Sequence, residues 1–477
     1  MNRTTEKYKK LILNTLILGL GVFGSKLLVF LMMPLYTGIL SPAEYSLADL
    51  ISQTANLLMP LACIGITDGV FRFAMDKEGD RRAVLSSGLA VLFSAGLVFL
   101  LLSPLLGFID YFSEYAWLIT AYVIAANVHA VCAQYVRAGN RTILFALQGI
   151  INTALVIALN ILFLVVFDMG VIGYVLSVVV ADSAVTLFLI FAGKLYKDIR
   201  LSAVSGKVVK ALLKYSVPMI PATIFWWITS VSDRYMVTYF SGETVNGLYS
   251  AAYKIPTILT LVSSVFMEAW QYSAVSDTDA ADKPVSREAA SFFGSVFSHY
   301  QSIIYVAGSA IIALSQLFII ILCADSYFDA WRYIPVLTLA AVFSGFTSFT
   351  GSVYLVKKKS SLTFLTSMSG ALINIVLNLL LIPRFEAQGA AIATAVSYLA
   401  VFIIRAVNAR RYVPFSLSLP RMLLSLSVLS AQTVLLLAFE EYIILTQAVA
   451  FVLIAVINLR PLVKGTVGML NNRRKAK

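Results

Sequence analysis

Along the chain, long apolar runs alternate with short polar breaks, and the runs are longer than a soluble helix needs. From Leu11 to Leu40 there is a single formal charge, Lys26, near the middle. About 20 apolar helical residues cross a hydrocarbon core roughly 30 Å thick. Read this way, the pattern predicts fourteen helices, near 11–36, 45–74, 83–108, 116–137, 142–166, 171–193, 211–240, 247–272, 294–323, 330–356, 361–382, 388–409, 419–439 and 442–463. The expected fold class is an all-α polytopic membrane protein. Composition agrees: 60% of the 477 residues are hydrophobic and 13% charged, against about 25% charged in a soluble protein. The basic start "MNRTTEKYKK" precedes a run too long for a signal-peptide core, with no small-residue cleavage site, so that run reads as a permanent span.

The breaks alternate in charge. "MDKEGDRR", "RAGNR", "KLYKDIRLSAVSGK", "VKKKSS", "NARRYVPFSLSLPR" and the tail "NNRRKAK" are basic. "LSPAEY", "IDYFSEY", "FDMG", "FSGETVN" and "FEEY" hold no lysine or arginine, and only Arg332 and Arg384 fall at breaks on this poor side. The positive-inside rule then places both termini and the basic breaks in the cytoplasm, which suits an even number of spans. The net charge of +12 is thereby a topology signal with attraction to membrane lipids as a by-product, and nucleic acid is not implied. In the stretch "EAASFFGSVFSHY", Phe292, Phe293, Val296, Phe297 and Tyr300 share a helical face, which reads as the opening of the next span.

Segments recur. "ALNILFLVVFDMGVIG" (158–173) returns as "VLNLLLIPRFEAQGAA" (376–391), aligning Asn160 with Asn378 and Phe167 with Phe385. "YVRAGNR" (135–141) matches "YLVKKKS" (354–360), and "ILSPAEYSLADL" (39–50) resembles "YFSGETVNGLYSAA" (239–252). These matches pair spans 1–2 with 7–8 and spans 5–6 with 11–12. Six spans per repeat is even, so the repeats are parallel. The expected domains are an N-terminal lobe over 1–200, a C-terminal lobe over 201–412, and a terminal helix pair with a basic cytoplasmic tail over 413–477. Two such lobes around a central cavity suit alternating access.

Chemistry of the usual enzymatic kinds is not indicated. The chain has no Walker-type phosphate loop, no zinc-ligand spacing and no nucleophile elbow. Its outer breaks are too short to carry the catalytic groups of a membrane glycan polymerase or ligase. Neither a catalytic residue nor a cofactor nor a metal site is assigned. Cys63, Cys132 and Cys323 read as small hydrophobes, and His129 and His299 as isolated residues.

What remains is charge inside the membrane: Lys26, Asp182, Asp233, Arg234 and Lys254. A charge at the bilayer centre costs about 2.5–3.5 kcal/mol on insertion scales. Asp49, Asp68, Arg72, Glu268 and Arg405 lie nearer span ends. There long side chains snorkel, as Arg405, Lys214 and Glu268 are expected to, and Asp68 can pair with Arg72 at i, i+4. For the deep residues two readings stand: buried ion pairs such as Asp233 with Lys254, or the lining of a hydrated cavity. The cationic excess suits an anionic substrate. Asp182 and Asp233 are the candidates for binding a coupling ion.

The stretches "NTLILGLGVFGSKLLVFLMMPLYTGILSPAEYSLADL", "ITDGVFRFA", "YSVPMIPATIFWWITSVSDRYMVTYFSGETVNGLYSAAYKIPTIL" and "GAAIATAVSYLAVFIIR" resemble the bacterial polysaccharide transporters, the O-antigen (Wzx-type) flippases. Where that family tends to read Glu-Tyr-Gly, this chain has Glu44-Tyr45-Ser46. The resemblance implies the multidrug/oligosaccharidyl-lipid/polysaccharide exporter fold, with two six-helix lobes and an appended pair. It further implies flipping of an undecaprenyl-pyrophosphate-linked oligosaccharide to the outer leaflet of the bacterial inner membrane, driven by a proton or sodium gradient and in concert with glycan polymerase machinery. By span and rough depth, Lys26, Arg72 and Lys254 match the cavity cations of the related lipid II flippases, and Arg234 joins them as a substrate-binding candidate. A drug exporter of the same fold is the alternative reading and is expected to have an acidic cavity.

Overall fold

In the computed structural model, the structure describes residues 30–76, 79–109, 112–139, 141–276, 286–357, 359–439 and 443–475. Among these residues the chain is helical throughout and divides into two compact units, Met1–Trp227 and Ile228–Lys477. The first comprises α1 (Met33–Ile39), α2 (Pro42–Ala62), α3 (Ile66–Ala74), α4 (Arg81–Leu102), α5 (Ala116–Ala138), α6 (Thr142–Asn160), α7 (Gly170–Ala192) and α8 (Gly206–Ser216). The division falls within α9 (Ile220–Ser241). The second unit continues with α10 (Glu243–Lys254), α11 (Thr257–Ser276), α12 (Arg287–Ala313), α13 (Ser315–Leu322), α14 (Ile334–Val356), α15 (Ser360–Tyr412), α16 (Leu419–Ala438) and α17 (Ile443–Lys475).

Each expected span falls on helix wherever its residues are described. By length and composition, ten helices qualify as spans among the described residues, or eleven if one bent pair counts as a single span, so the expected fourteen is not reached by that measure. Part of the difference is backbone chemistry. The expected helix 45–74 is two helices, α2 and α3, bent by 59°. Pro60 removes an N–H from the end of α2, and Ile64 and Gly65 then adopt positive φ. Conversely, the helices expected over 361–382 and 388–409 run together as α15, with Glu386 at φ 50° and ψ −138° marking the bend. Within α17 the apolar stretch Ile443–Leu459 falls below the length required, and most of the first expected span lies outside the described residues.

The lipid-facing character of the helices is legible in their burial. Leu97, Leu101, Val165, Leu187, Ile320, Leu380, Val434 and Ile444 are all more than half exposed. Such apolar exposure is stable only against lipid or a partner surface. Only 11% of the apolar window of α4 is buried, whereas 78% of that of α14 is, so α4 is peripheral in its unit and α14 central in the other. Around α14 an aromatic core gathers: Trp270 stacks on Phe349 with ring centroids 5.1 Å apart, and Phe297 lies 5.0 Å from Phe349 and 5.7 Å from Phe346. Of the five residues expected to share a face, Phe293, Phe297 and Tyr300 of α12 are buried in it, Val296 is half-buried and Phe292 is exposed. In the first unit Cys63 and Cys132 are buried among Ile66, Val70, Val131 and Leu189, as small hydrophobes should be.

The repeat is visible in the backbone of each unit. Asn160 and Asn378 are buried at 1% and 0% exposure, while Phe167 and Phe385 are exposed at 58% and 54%. Each phenylalanine is followed by an acidic residue, Asp168 or Glu386, with φ 50°. Positive φ is uncommon outside glycine, so its recurrence at aligned positions marks a shared bend. Spans 2 and 8 are likewise both interrupted at a proline, Pro60 and Pro256.

Packing at the first of these breaks is close. "GITDG" brings Gly65 and Gly69 against α8 and the turn after it, in the small-xxx-small manner of membrane helix pairs. A Cβ on Gly69 would meet the Ser216 hydroxyl at 2.5 Å and Leu212 at 3.3 Å. At Gly65 it would face the Ser216 carbonyl at 3.1 Å, on a backbone with φ +61°. Gly69→Leu is therefore expected to cost about 1–3 kcal/mol, read as a lowered thermal midpoint of the detergent-solubilised protein. Gly96→Ala, with nothing within 4 Å of the added carbon, is expected to leave the midpoint unchanged or higher.

Candidate functional site

Among the described residues the deep charges fall into two groups, one in each unit. In the second unit the organising group is Asp233, 1% exposed and about 20 Å along α9 from Ile220 at the usual rise per residue. A buried carboxylate is tolerated only with several hydrogen bonds. Its Oδ2 accepts from the Tyr249 hydroxyl at 2.6 Å and from Thr394 Oγ1 at 3.4 Å, and its Oδ1 accepts from the Arg234 backbone N–H at 2.9 Å. The Thr394 hydroxyl in turn accepts from Asn374 Nδ2 at 3.3 Å, and Asn378 Nδ2 donates to Asn374 Oδ1 at 2.9 Å. One polar chain thus joins α9, α10 and both arms of α15.

Beside Asp233, Arg234 is 4% exposed, with its guanidinium 4.9 Å from the centre of the Tyr253 ring. An arginine stacked on an aromatic face stays charged and keeps its donors directed in its plane. Lys254, the next residue after Tyr253, is half-buried and ends α10. The span continues as α11 after a break at Ile255–Pro256. Pro256 has no N–H to give, so the Ala252 carbonyl is taken by Ile255 N–H at 3.2 Å, and the Lys254 carbonyl by the Thr257 hydroxyl.

In the first unit the organising group is Asp182, 6% exposed and about 18 Å along α7 from Gly170. Its Oδ1 lies 3.1 Å from His129 Nδ1 and accepts from Asn152 Nδ2 at 2.8 Å. The other ring nitrogen, His129 Nε2, lies 2.8 Å from Gln148 Oε1. Elsewhere in this unit Tyr36 and Tyr45 pack edge to face on Tyr174, with centroids 4.9 and 6.5 Å away, and Asn160 Nδ2 donates to the Tyr36 hydroxyl at 3.3 Å.

The structure therefore joins Asp233 and Arg234 to Tyr249 and Tyr253 of α10, which ends at Lys254, and gives Asp182 partners of its own. Lys26 lies outside the described residues. Arg72 is exposed in the last turn of α3, and it forms no ion pair with Asp68 among the described residues. Two expectations need correction. Arg405 does not snorkel: it is 7% exposed, with Nε donating to Thr366 Oγ1 at 2.9 Å, Nη1 to the Thr347 carbonyl at 3.1 Å and Nη2 to Ser367 Oγ at 3.0 Å. Five fixed donors let it lace α14 to α15 in a way a lipid headgroup cannot match. His129 is not isolated, because α5 carries it to Asp182 across more than fifty residues of sequence. The available signal was Gln148 with Asn152, a polar i, i+4 pair in a helix with no charged residue. Lys214 is exposed, and the side chain of Glu268 is outside the described set. Among the described residues, no three His, Cys, Asp or Glu side chains gather to hold a metal ion.

Comparison with known proteins adds the following. Residues 11–270 match the family model for polysaccharide biosynthesis proteins. No curated protein sequence matches the chain. Among solved structures, the lipid II flippase MurJ in an inward closed conformation is similar at TM-score 0.70 and 15% identity, covering 95% of this chain and all of that one. An inward-facing multidrug resistance MATE family transporter of the MOP superfamily gives 0.67 at 15% identity, over 82% of this chain and 94% of that one. A MOP superfamily transporter from Pyrococcus furiosus gives 0.58 at 15% identity, over 84% and 94%. At such identities the likeness establishes a common fold.

Removing the hydroxyl that faces the buried carboxylate tests the second cluster. Tyr249→Phe is expected to destabilise by about 1–3 kcal/mol, and in an Asp233→Asn background the same change is expected to cost measurably less. A double-mutant cycle on the detergent-solubilised protein reads this coupling.

Proposed function

The chain belongs to the polysaccharide biosynthesis protein family, and from that premise we propose that it moves an undecaprenyl-pyrophosphate-linked oligosaccharide from the cytoplasmic to the outer leaflet of the bacterial inner membrane. Movement is by alternating access, with both termini in the cytoplasm, and is driven by an ion gradient. The observation that carries the reading is the charge at the broken span of the second unit. Arg234 lies over the Tyr253 ring, Lys254 follows Tyr253 in the chain, and Asp233, the residue before Arg234, is bonded to Tyr249 of the same helix as Tyr253. Pyrophosphate oxygens accept from a planar fork of N–H donors and from a compact ammonium alike, so an arginine held on a ring and a lysine are both complementary to it. Lys26 and Arg72 are assigned as further contacts for the same anionic group. Asp182 and Asp233 are the groups assigned to the coupling ion. The protein acts as a carrier, without catalysis of its own, and hands its cargo to the machinery that polymerises or ligates glycans.

Deletion of the gene is expected to leave lipid-linked oligosaccharide accumulating with its sugars in the cytoplasmic leaflet. Unchanged glycan export sinks the reading. Lys254→Ala and Arg234→Ala are each expected to lower surface glycan about tenfold at unchanged membrane abundance, and Arg234→Lys to recover only part of it, because a lysine loses the planar fork. If both alanine variants instead lose the protein, those side chains are structural ion partners and the substrate contact lies elsewhere.

A further inference from the structure

Resting on that reading, we infer that His129, Asp182 and Gln148 form a proton-carrying site within the first unit, and that the ion coupled to transport is a proton and not sodium. The geometry around the imidazole is the starting point. Nδ1 faces a carboxylate oxygen at 3.1 Å and Nε2 faces an amide oxygen at 2.8 Å. Both neighbours are acceptors, and only the doubly protonated ring donates from both nitrogens. The site as arranged is therefore complementary to imidazolium beside carboxylate, a pair with no net charge.

Loss of one proton has a definite structural consequence. The neutral ring keeps its Nδ1–H toward Asp182, which holds that tautomer, and its Nε2 lone pair then meets the Gln148 oxygen. That contact is repulsive until the carboxamide turns over to present its N–H instead. The terminal amide torsion is broad and roughly two-fold, so this turn is inexpensive. Protons balance simply: the loaded site holds one more, on Nε2, and is neutral, while the empty site holds a net charge of −1 on Asp182. Both groups sit near the middle of their helices, His129 about 20 Å from Ala116 and Asp182 about 18 Å from Gly170. A net charge at that depth is costly, so the loaded site is the form that reorients across the membrane most easily. Gln148 converts a proton into a change of hydrogen-bond polarity on α6.

Sodium is poorly served by the same residues. A hard cation takes oxygen ligands, but Asp182 Oδ1 already receives two N–H donors, from His129 and from Asn152. Donors directed at the carboxylate repel a metal cation. Other titratable groups are placed so as not to replace this chemistry. On α5 itself Tyr122 lies in electrostatic reach of Asp182, and α6 carries no charge. From α2, Asp49 is in reach of Tyr174. On α3, Asp68 and Arg72 are exposed. At the start of α4, Arg81 lies over the Tyr135 ring and Arg82 pairs with Asp198, while Arg137 of α5 lies between the Phe71 and Phe145 rings.

The chain has two histidines, which makes a direct test practical. His299, whose ring bonds the Ser295 carbonyl in α12 of the second unit, is replaced by glutamine. The full-length protein is then labelled with 15N-histidine in lipid nanodiscs. The His129 ring is expected to pass from imidazolium to the neutral Nδ1–H tautomer between about pH 5 and 9. Asp182→Asn is expected to lower its proton affinity at least tenfold. A ring that stays neutral over the whole range, or a midpoint that ignores Asp182→Asn, overturns the inference. In cells, His129→Gln is expected to abolish the dependence of surface glycan on the transmembrane pH gradient, tested by collapsing that gradient with nigericin, while removal of external sodium has no effect on the parent protein. Glycan export that needs sodium, or that keeps its pH-gradient dependence in His129→Gln, overturns it. Should the ring titrate as stated while gene deletion leaves no trapped lipid-linked oligosaccharide, the proton site stands and the choice of substrate falls.

Discussion

The hydrocarbon core offers no water, so every polar group carried into it must find its partner in the protein. Most of what is specific in this structure follows from that constraint. Asp233 is held by a hydroxyl from α10, a hydroxyl from α15 and the N–H of its own neighbour. Arg405 is spread over Thr366, Thr347 and Ser367. Asp182 takes donors from α5 and α6. In each case at least one partner comes from a helix or helix arm more than fifty residues away, so the polar groups also fix which helices are neighbours and in what rotation. The apolar faces do not; leucine against leucine is nearly equivalent to leucine against lipid.

The same constraint explains where the helices break. A span loses a backbone hydrogen bond at a proline, and the orphaned carbonyl must be recovered locally. After Pro60 the helix end is closed by a positive-φ glycine, Gly65, whose N–H returns to the Pro60 carbonyl at 2.9 Å. At Pro256 it uses a tightened turn and the Thr257 hydroxyl. Neither break is damage. The first lets two glycines lie on Ser216. The second leaves a helix end in mid-span beside Lys254, Tyr253 and Arg234. Breaks at equivalent spans, together with the shared bend at Asp168 and Glu386, give the two units a common construction around different polar contents: a cationic neighbourhood in one, a histidine–carboxylate pair in the other.

That difference in content bears on how one fold serves transport. A substrate group of high negative charge and a coupling ion of positive charge are best bound by unlike sites, since a single site would let each neutralise the binding of the other. On the proposed function, the proton site belongs to the helices of one unit and the anion-binding cations to those of the other.

The apolar runs were enough to determine that this is a multi-span helical membrane protein, because burial in lipid demands length and apolarity that any run of residues displays directly. They were enough, too, to single out Asp182, Asp233, Arg234 and Lys254, because a charge in such a run is costly wherever it points. What they did not contain was partnership. His129 looked isolated until α5 placed it against α7, Arg405 looked like a snorkelling end residue until α14 and α15 closed on it, and one uninterrupted run over 45–74 concealed a 59° bend. Hydrogen bonds between helices depend on rotation and depth to within about an ångström, and that is a property of packing in three dimensions that no single span carries.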